Sequence, residues 1–271
     1  MNGRSENPPK LSSLLPALSL CRREMVRFYR QRSRVVGVIG SPLVFWFLIG
    51  SGLSGSFRHP GAPPEINYLE YFFPGTIVLI ILFTSIFSTI SIIEDRREGF
   101  LQSVLVAPVT RSSIALGKIL GGTILSLVQA IILLVLAPFI GISLSLAGLL
   151  LVFVSLLVIS FGLTALGFLI AWRMDSTQGF HAVMNLFLIP LWLLSGALFP
   201  PSGAAPWLNR IMLINPLSYG ISALRQSLYI GSPFVIQDIA PLPLSLAVIF
   251  VFAGFTFIFS TLAVRRSGAA R

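Results

Sequence analysis

His181 and Ser195 are the residues of this chain that come nearest to a base and a nucleophile, and both fall in one apolar stretch. Fourteen residues separate them, which on a single helix is about 21 Å along the axis, so they cannot meet within one chain. There is no Gly-x-Ser-x-Gly elbow, and no His/Cys/Asp/Glu cluster has metal-ligand spacing. Gly117-Lys118 imitates the end of a phosphate-binding loop, but Ile119 stands where a Mg²⁺-binding Ser or Thr belongs, and no glycine lies five residues before Gly117. The pair reads as a helix start at a membrane surface. The lone Cys21 ends "LSSLLPALSLC", which resembles a lipoprotein signal, yet Leu20 precedes it where a small residue belongs and "RREMVRFYRQRSR" follows. One cysteine allows no internal disulfide. We therefore expect no catalytic residue and no metal.

The elements that carry these residues are set by composition. Apolar residues make up 55% and charged residues 10% of 271, against about 25% charged in soluble proteins, and mean hydropathy is +0.90. This predicts an all-α integral membrane protein. A helix must hold roughly 20 apolar residues to cross a hydrocarbon core of about 30 Å. Six stretches qualify, at about 35–53, 74–93, 119–140, 146–172, 180–199 and 242–264, and none contains Asp, Glu, Lys or Arg. Residues 1–34 precede this six-helix domain (35–271). There Leu11, Leu14, Leu15, Leu18, Cys21, Met25 and Phe28 recur at helical spacing with arginines on the other face, the pattern of an interfacial helix.

With six spans, 16 of the 19 Lys and Arg fall on one side and Arg58, Arg210 and Arg225 on the other. The positive-inside rule then puts both termini in the cytoplasm of a plasma (inner) membrane. The net charge of +10 would suggest nucleic acid in a soluble protein; here anionic lipid accounts for it, and no nucleic-acid partner is expected. A carrier driven by protons or sodium usually places ionisable groups inside its bundle, and these spans hold none at mid-membrane. The energy for any transport must come from elsewhere.

The segment "EDRREGFLQSVLVAPVTRSSIALGK", Glu94 to Lys118, interrupts this apolar pattern. Phe100, Leu101, Val104 and Leu105 form an apolar stripe on a short helix, Pro108 stops it, and Thr110 or Ser112 can cap the next helix. Spacing alone fits a lipid-surface hairpin as well as a docking element. On the other side, Phe199 to Pro241 is about 40 residues long, a length that tends to carry function. Asn215 as cap and Pro216 in the first turn predict a helix over 217–230, with Trp207, Tyr219 and Tyr229 suited to the membrane interface. Thr84, Ser88 and Asn185, with Ser85, Thr89 and Ser91, are available either to line a pathway or to pack helices.

Taken in order, these motifs resemble the membrane subunits of type 2 ABC (ABC-2) exporters: Glu98-Gly99, the run 101–106, Pro108-Val109-Thr110-Arg111, Gly117-Lys118, the Pro74-Gly75 opening of the second span, and "LSGALFP" followed by "INPLSYGISALR". Phe100 departs from the pattern, where the family often has Thr or Ser. The resemblance implies that Glu98, Gly99, Phe100, Leu101, Val104, Leu105, Pro108 and Arg111 belong to a cytoplasmic coupling helix seated on a separate ATPase subunit. It also implies that Asn215, Pro216, Tyr219 and Arg225 belong to short extracellular re-entrant helices that narrow the exit. The expected assembly is two permease copies, identical or closely related, with two ATPase subunits that carry ATP and Mg²⁺; this chain would bind no cofactor. The expected function is export of an amphiphilic substrate, drug-like, lipid-linked or glycan. A channel or scaffold subunit without ATP coupling, and an intramembrane hydrolase, are the alternatives.

Overall fold

Apolar runs punctuated by proline and glycine fold here entirely into helices. The computed structural model describes residues 14–53, 67–107, 109–231 and 238–266, the side chains of residues 33 and 34 excepted, and no strand occurs among them. Arg4, Lys10, Leu11, Arg58, Pro108 and Arg271 lie outside the described residues. The helices are α1 (Leu14–Arg30), α2 (Arg32–Leu53), α3 (Tyr68–Arg97), α4 (Phe100–Val106), α5 (Arg111–Leu134), α6 (Leu146–Trp172), α7 (Thr177–Leu193), α8 (Pro206–Ile214), α9 (Pro216–Leu228) and α10 (Leu242–Arg266). Short 3₁₀ turns follow α5 and precede α8.

Five of these are long and apolar enough to cross a membrane: residues Val35–Leu53 of α2, and α3, α5, α6 and α10. The chain is a multi-pass membrane protein. The stretch expected as a fifth span, 180–199, is α7 only as far as Leu193. Its 17 residues rise about 25 Å, short of a 30 Å core. Beyond it Gly196 takes a positive φ of 78°, a conformation costly for residues with a Cβ, and the chain turns. The third span likewise ends at Leu134 rather than residue 140, because the ring of Pro138 would clash with the Leu134 carbonyl in a continuing helix. α3 starts earlier than expected, at Tyr68, and carries Pro74 inside it. Membrane helices tolerate such a proline, and one residue on, the Gly75 carbonyl accepts from Trp192 Nε1 at 2.8 Å, which ties this turn of α3 to α7.

α3 is the central helix, buried along most of its length and packed on α2, α5, α6, α7 and α9. Lipid offers no hydrophobic drive between helices, so close approach depends on small residues. Ser88 of α3 and Thr164 of α6 both press on Gly122 of α5. Most of the buried hydroxyls bond to carbonyls three or four residues back, as Thr123, Ser126 and Thr164 do. Thr84 bonds the Ile80 carbonyl at 2.8 Å and faces the Gln129 amide at 2.6 Å. One hydroxyl proton serves one acceptor, so a Gln129 amide turned to donate to Thr84 satisfies both.

α1 does not lie free on the surface. Ala17, Leu20, Cys21, Glu24 and Phe28 are buried, seated on α5 where Gly117 and Gly121 leave room: a Cβ at Gly117 would stand 2.6 Å from the Ala17 carbonyl oxygen, and one at Gly121 would stand 2.8 Å from Glu24 Cβ. Leu14, Leu15 and Leu18 stay exposed. Burial, with the nearby Glu24 charge, pushes the Cys21 thiol up from its usual pKa, which leaves little thiolate to react. Gly121→Leu should pry α1 from α5 and raise the maleimide labelling rate of Cys21 in detergent by roughly tenfold or more, as expected when local opening becomes easy. An unchanged rate would show that the close approach does not hold α1.

Candidate functional site

The charged end of the bundle is built around Asp95 in the last turns of α3. Its carboxylate is fully buried and takes a two-pronged bond from Arg23, with Nη2 to Oδ1 at 2.7 Å and Nη1 to Oδ2 at 2.9 Å. Arg27 Nη1 adds a third bond at 2.6 Å, and Lys118 Nζ a fourth. Lys118 also reaches Glu24 Oε1 at 2.7 Å, and both are buried. Arg27 extends the network to Glu94 at 2.9 Å and Glu98 at 3.2 Å. The hydrogen bond to Asp95 strengthens the hold of Arg23 on its proton despite part burial. Three helices, α1, α3 and α5, thus meet in one ion cluster. Lys118, read from sequence as part of a helix start, is its buried cation.

α4 hangs from this cluster. Gly99 turns the chain out of α3 with φ 78°, Ala107 is extended as a residue before proline must be, and Thr110 caps α5 by accepting from Ser113 N at 3.3 Å. The Arg23 guanidinium lies 3.6 Å over the Phe100 ring. Leu101 is buried in the core of this chain, while Val104 and Leu105 are half-buried against it. The apolar stripe of α4 therefore faces its own bundle, and Gln102, Ser103 and Val106 face out, Val106 with 86% of its surface exposed. Glu98 pairs with Arg27 and Arg111 is half-buried. Next to α4, Arg96 caps the end of α6 by donating to the Trp172 and Met174 carbonyls and to Asp175, and Arg97 donates to the Asp175 carbonyl at 3.1 Å.

The far end holds a second polar cluster. Asn215 caps α9, accepting from Leu217 N at 3.0 Å, and its amide donates to the Leu191 and Leu194 carbonyls at the end of α7 at 2.6 and 3.1 Å. Pro216 occupies the first turn, and the Tyr219 hydroxyl donates to the Leu213 carbonyl at 2.8 Å. Arg225, counted from sequence as a loop charge, is among the largest fully buried side chains. It pairs with Asp238, donates to the Gly196 carbonyl at 3.1 Å, and sits 4.2 Å over the Tyr71 ring. Tyr71 donates to the same carbonyl at 2.9 Å.

The candidate pathway residues do not come together. Thr84 and Ser88 are buried among α3, α5 and α6, where they serve packing, whereas Asn185 is exposed on α7. Asn185 adjoins His181, whose ring meets that of Phe87 at a 50° tilt with centres 5.5 Å apart. A groove of about 410 Å³ beside them is lined by Gly37, Val38, Ser41, Phe83, Phe87, Ile90 and His181. Ser195 bonds instead to the Trp192 carbonyl.

Sequence reasoning missed Glu24 and Asp95 as partners of Lys118. The available signal was Glu24 itself, an acid on the apolar face of α1 in register with Ala17, Leu20, Cys21 and Phe28. Removing one partner of a buried ion cluster costs about 3 to 5 kcal/mol. Lys118→Met should therefore lower the thermal unfolding midpoint of the detergent-solubilised protein sharply, and adding Glu24→Gln should recover part of the loss, a coupling that a double-mutant cycle measures. Additive losses would mean that the two side chains do not interact.

Comparison with known proteins agrees with this architecture. The profile of the ABC-2 type transporter family matches residues 17–229, a range that runs from α1 through the ion cluster to α9. The chain is 31% identical to the transport permease ycf38 of Cyanophora paradoxa over 209 residues, 76% of this chain and 71% of that one. It is 30% identical over 170 residues to the multidrug ABC transporter permease YbhR of Escherichia coli K12, covering 60% of this chain and 45% of that one. It is also 22% identical over 234 residues to the daunorubicin resistance ABC transporter permease protein DrrB1 of Streptomyces coeruleorubidus, covering 83% and 78%. The helices gathered around Asp95, read with these matches, make the chain a member of the ABC-2 type transporter family, the membrane-embedded permease component of an ABC system.

Proposed function

We propose that this permease exports an amphiphilic substrate from the cytoplasm, driven by a separate ATPase. The observation that carries the reading is the mounting of α4: a short helix outside the membrane-length segments, joined to α3 at Gly99 and to α5 at Thr110 and lying under Arg23, where Asp95 and its cations tie α1, α3 and α5 together. A force applied to such a helix passes into the bundle. Its free face, Gln102, Ser103 and Val106, is where the ATPase sits, rather than Leu101. The chain itself binds no cofactor; ATP and Mg²⁺ belong to the partner.

The charged end faces the cytoplasm of the plasma (inner) membrane, and both termini with it. Moving Arg225 from loop charge to buried ion pair leaves the basic asymmetry intact. α7, too short to cross alone, is completed by the turn after Leu193, and α8 and α9 form the re-entrant pair at the outer end. Two permease copies, identical or closely related, assemble with two ATPase subunits. Exposed α2 and α7 face each other across the two copies, so the groove of Phe83, Phe87 and His181, together with Asn185, borders the pathway. Its aromatic lining supports an amphiphilic substrate, as do relatives named for multidrug transport and daunorubicin resistance.

Val106→Asp puts a charge on the free face without touching the core. Burying an unpaired charge at a protein contact costs several kcal/mol, and each 1.4 kcal/mol is tenfold in affinity. Pull-down of the ATPase by the variant should fall at least tenfold at matched membrane levels. Equal recovery would leave the chain as a channel or scaffold without ATP coupling. Asn215→Leu, at the other end, removes a cap worth about 0.5 to 2 kcal/mol along with the two bonds to α7. Export should fall while the ATPase still co-purifies, and loss of the ATPase would instead assign α9 to assembly.

A further inference from the structure

One face of α1 has no protein against it among the described residues. Leu15, Leu18, Arg22, Val26 and Tyr29 follow one another at spacings of three and four, all exposed, on the side opposite the residues that seat on α5. Along the second half of this face runs a groove of about 620 Å³, lined by Ser19, Arg22, Val26, Arg30, Gln31 and Glu98. Arg23 and Arg27, also at the groove, are committed to Asp95, Glu94 and Glu98. Arg22 and Arg30 make no ion pair with any described residue.

The depth of the groove follows from its neighbours. Gln31 lies one turn before the membrane-length part of α2 begins at Val35, and Glu98 directly follows the membrane-length α3. Both positions belong to the headgroup layer of a bilayer. We propose that the groove binds the phosphodiester of an anionic phospholipid, with Arg22 and Arg30 on the phosphate and Leu15 and Leu18 against the acyl chains. The guanidinium fork matches phosphate oxygens and is weakly hydrated, and basic pockets beside membrane helices attract anionic headgroups. A free phosphate ion leaves Leu15 and Leu18, 68% and 57% exposed, without cover. An acidic, polar protein segment does the same. The bound lipid fixes the depth of α1, and through Asp95 the depth of α3 and α5.

The test uses the full chain, purified in nonionic detergent and examined by native mass spectrometry with short-chain phosphatidylglycerol or phosphatidylcholine. Two arginines at the membrane surface correspond to roughly thirtyfold tighter binding of the anionic lipid. Arg22→Gln with Arg30→Gln should abolish that preference without moving the thermal midpoint, since both side chains are exposed, and the lysine pair at these positions should keep part of it. Equal binding of the two lipids by the unaltered chain overturns the proposal, as does a preference that survives in the glutamine variant. Displacement of phosphatidylglycerol by inorganic phosphate at equal concentration would make the site one for a free anion. A glutamine variant that keeps the lipid preference but loses the ATPase would give the groove to an acidic protein segment.

Discussion

A carboxylate with no access to water, held by three cations from two other helices, is the constraint on which the charged end of this permease depends. Taking Asp95 out of water is affordable in free energy only while its partners stay in place. Those partners are Arg23 and Arg27 on α1 and Lys118 on α5. The rotation of α1, the start of α5 and the end of α3 are therefore fixed relative to one another. α4 inherits this order, because Gly99 and Thr110 tether its two ends to α3 and α5 while Phe100 lies under Arg23. Moving α4 alone would strip the counter-ions from a buried acid, so the low-energy motion carries the surrounding helices with it.

Between the two ends the bundle is held differently. The described spans are packed through glycine and hydroxyl contacts such as Ser88 and Thr164 on Gly122, which let backbones approach closely without the orientational demand of ions. α3 connects the two regimes. Its 30 residues extend about 45 Å, with Asp95 near one end and Tyr71, under the Arg225 guanidinium, near the other. α9 is tied to α3 through Tyr71 and Gly196 and to α7 through Asn215. α3 is thus fastened by ion pairs at one end and by a hydrogen bond and a cation–π contact at the other, with smooth packing between them.

Five of the six apolar stretches were legible as membrane-length helices because apolar length alone determines these, and 146–172 coincides with α6. The end of α7 was not. Hydropathy continues through Leu198 and Phe199, and the stop at Gly196 depends on donors from Tyr71 and Arg225, residues far away in the chain. The partner of Arg225 was not legible for a related reason: Asp238 stands 13 positions on, at no helical period, so only the fold brings them together. The cap at Asn215 and the turn into α5 at Thr110 were legible, being local. On α4 the apolar stripe was visible, but a stripe says only that a face is covered. Whether its own bundle or another protein covers it is decided by tertiary structure, and for Leu101 the bundle does.

α1 shows how one residue can resolve what a pattern leaves open. Its apolar arc is wide, extending from Leu15 and Leu18 on one side through Met25 and Cys21 to Ala17 and Leu20 on the other. A single contact covers about 100° of a helix, so such an arc requires two neighbours and hydrophobicity does not say which side takes which. Glu24 lies within the arc beside Ala17 and Cys21. A carboxylate cannot face acyl chains without a partner, and the cation able to meet it, Lys118, is on α5. The acid therefore turns its side of α1 toward the protein, where Gly117 and Gly121 admit it. The leucines are left to the lipid, and Arg22 and Arg30 to the headgroups above them.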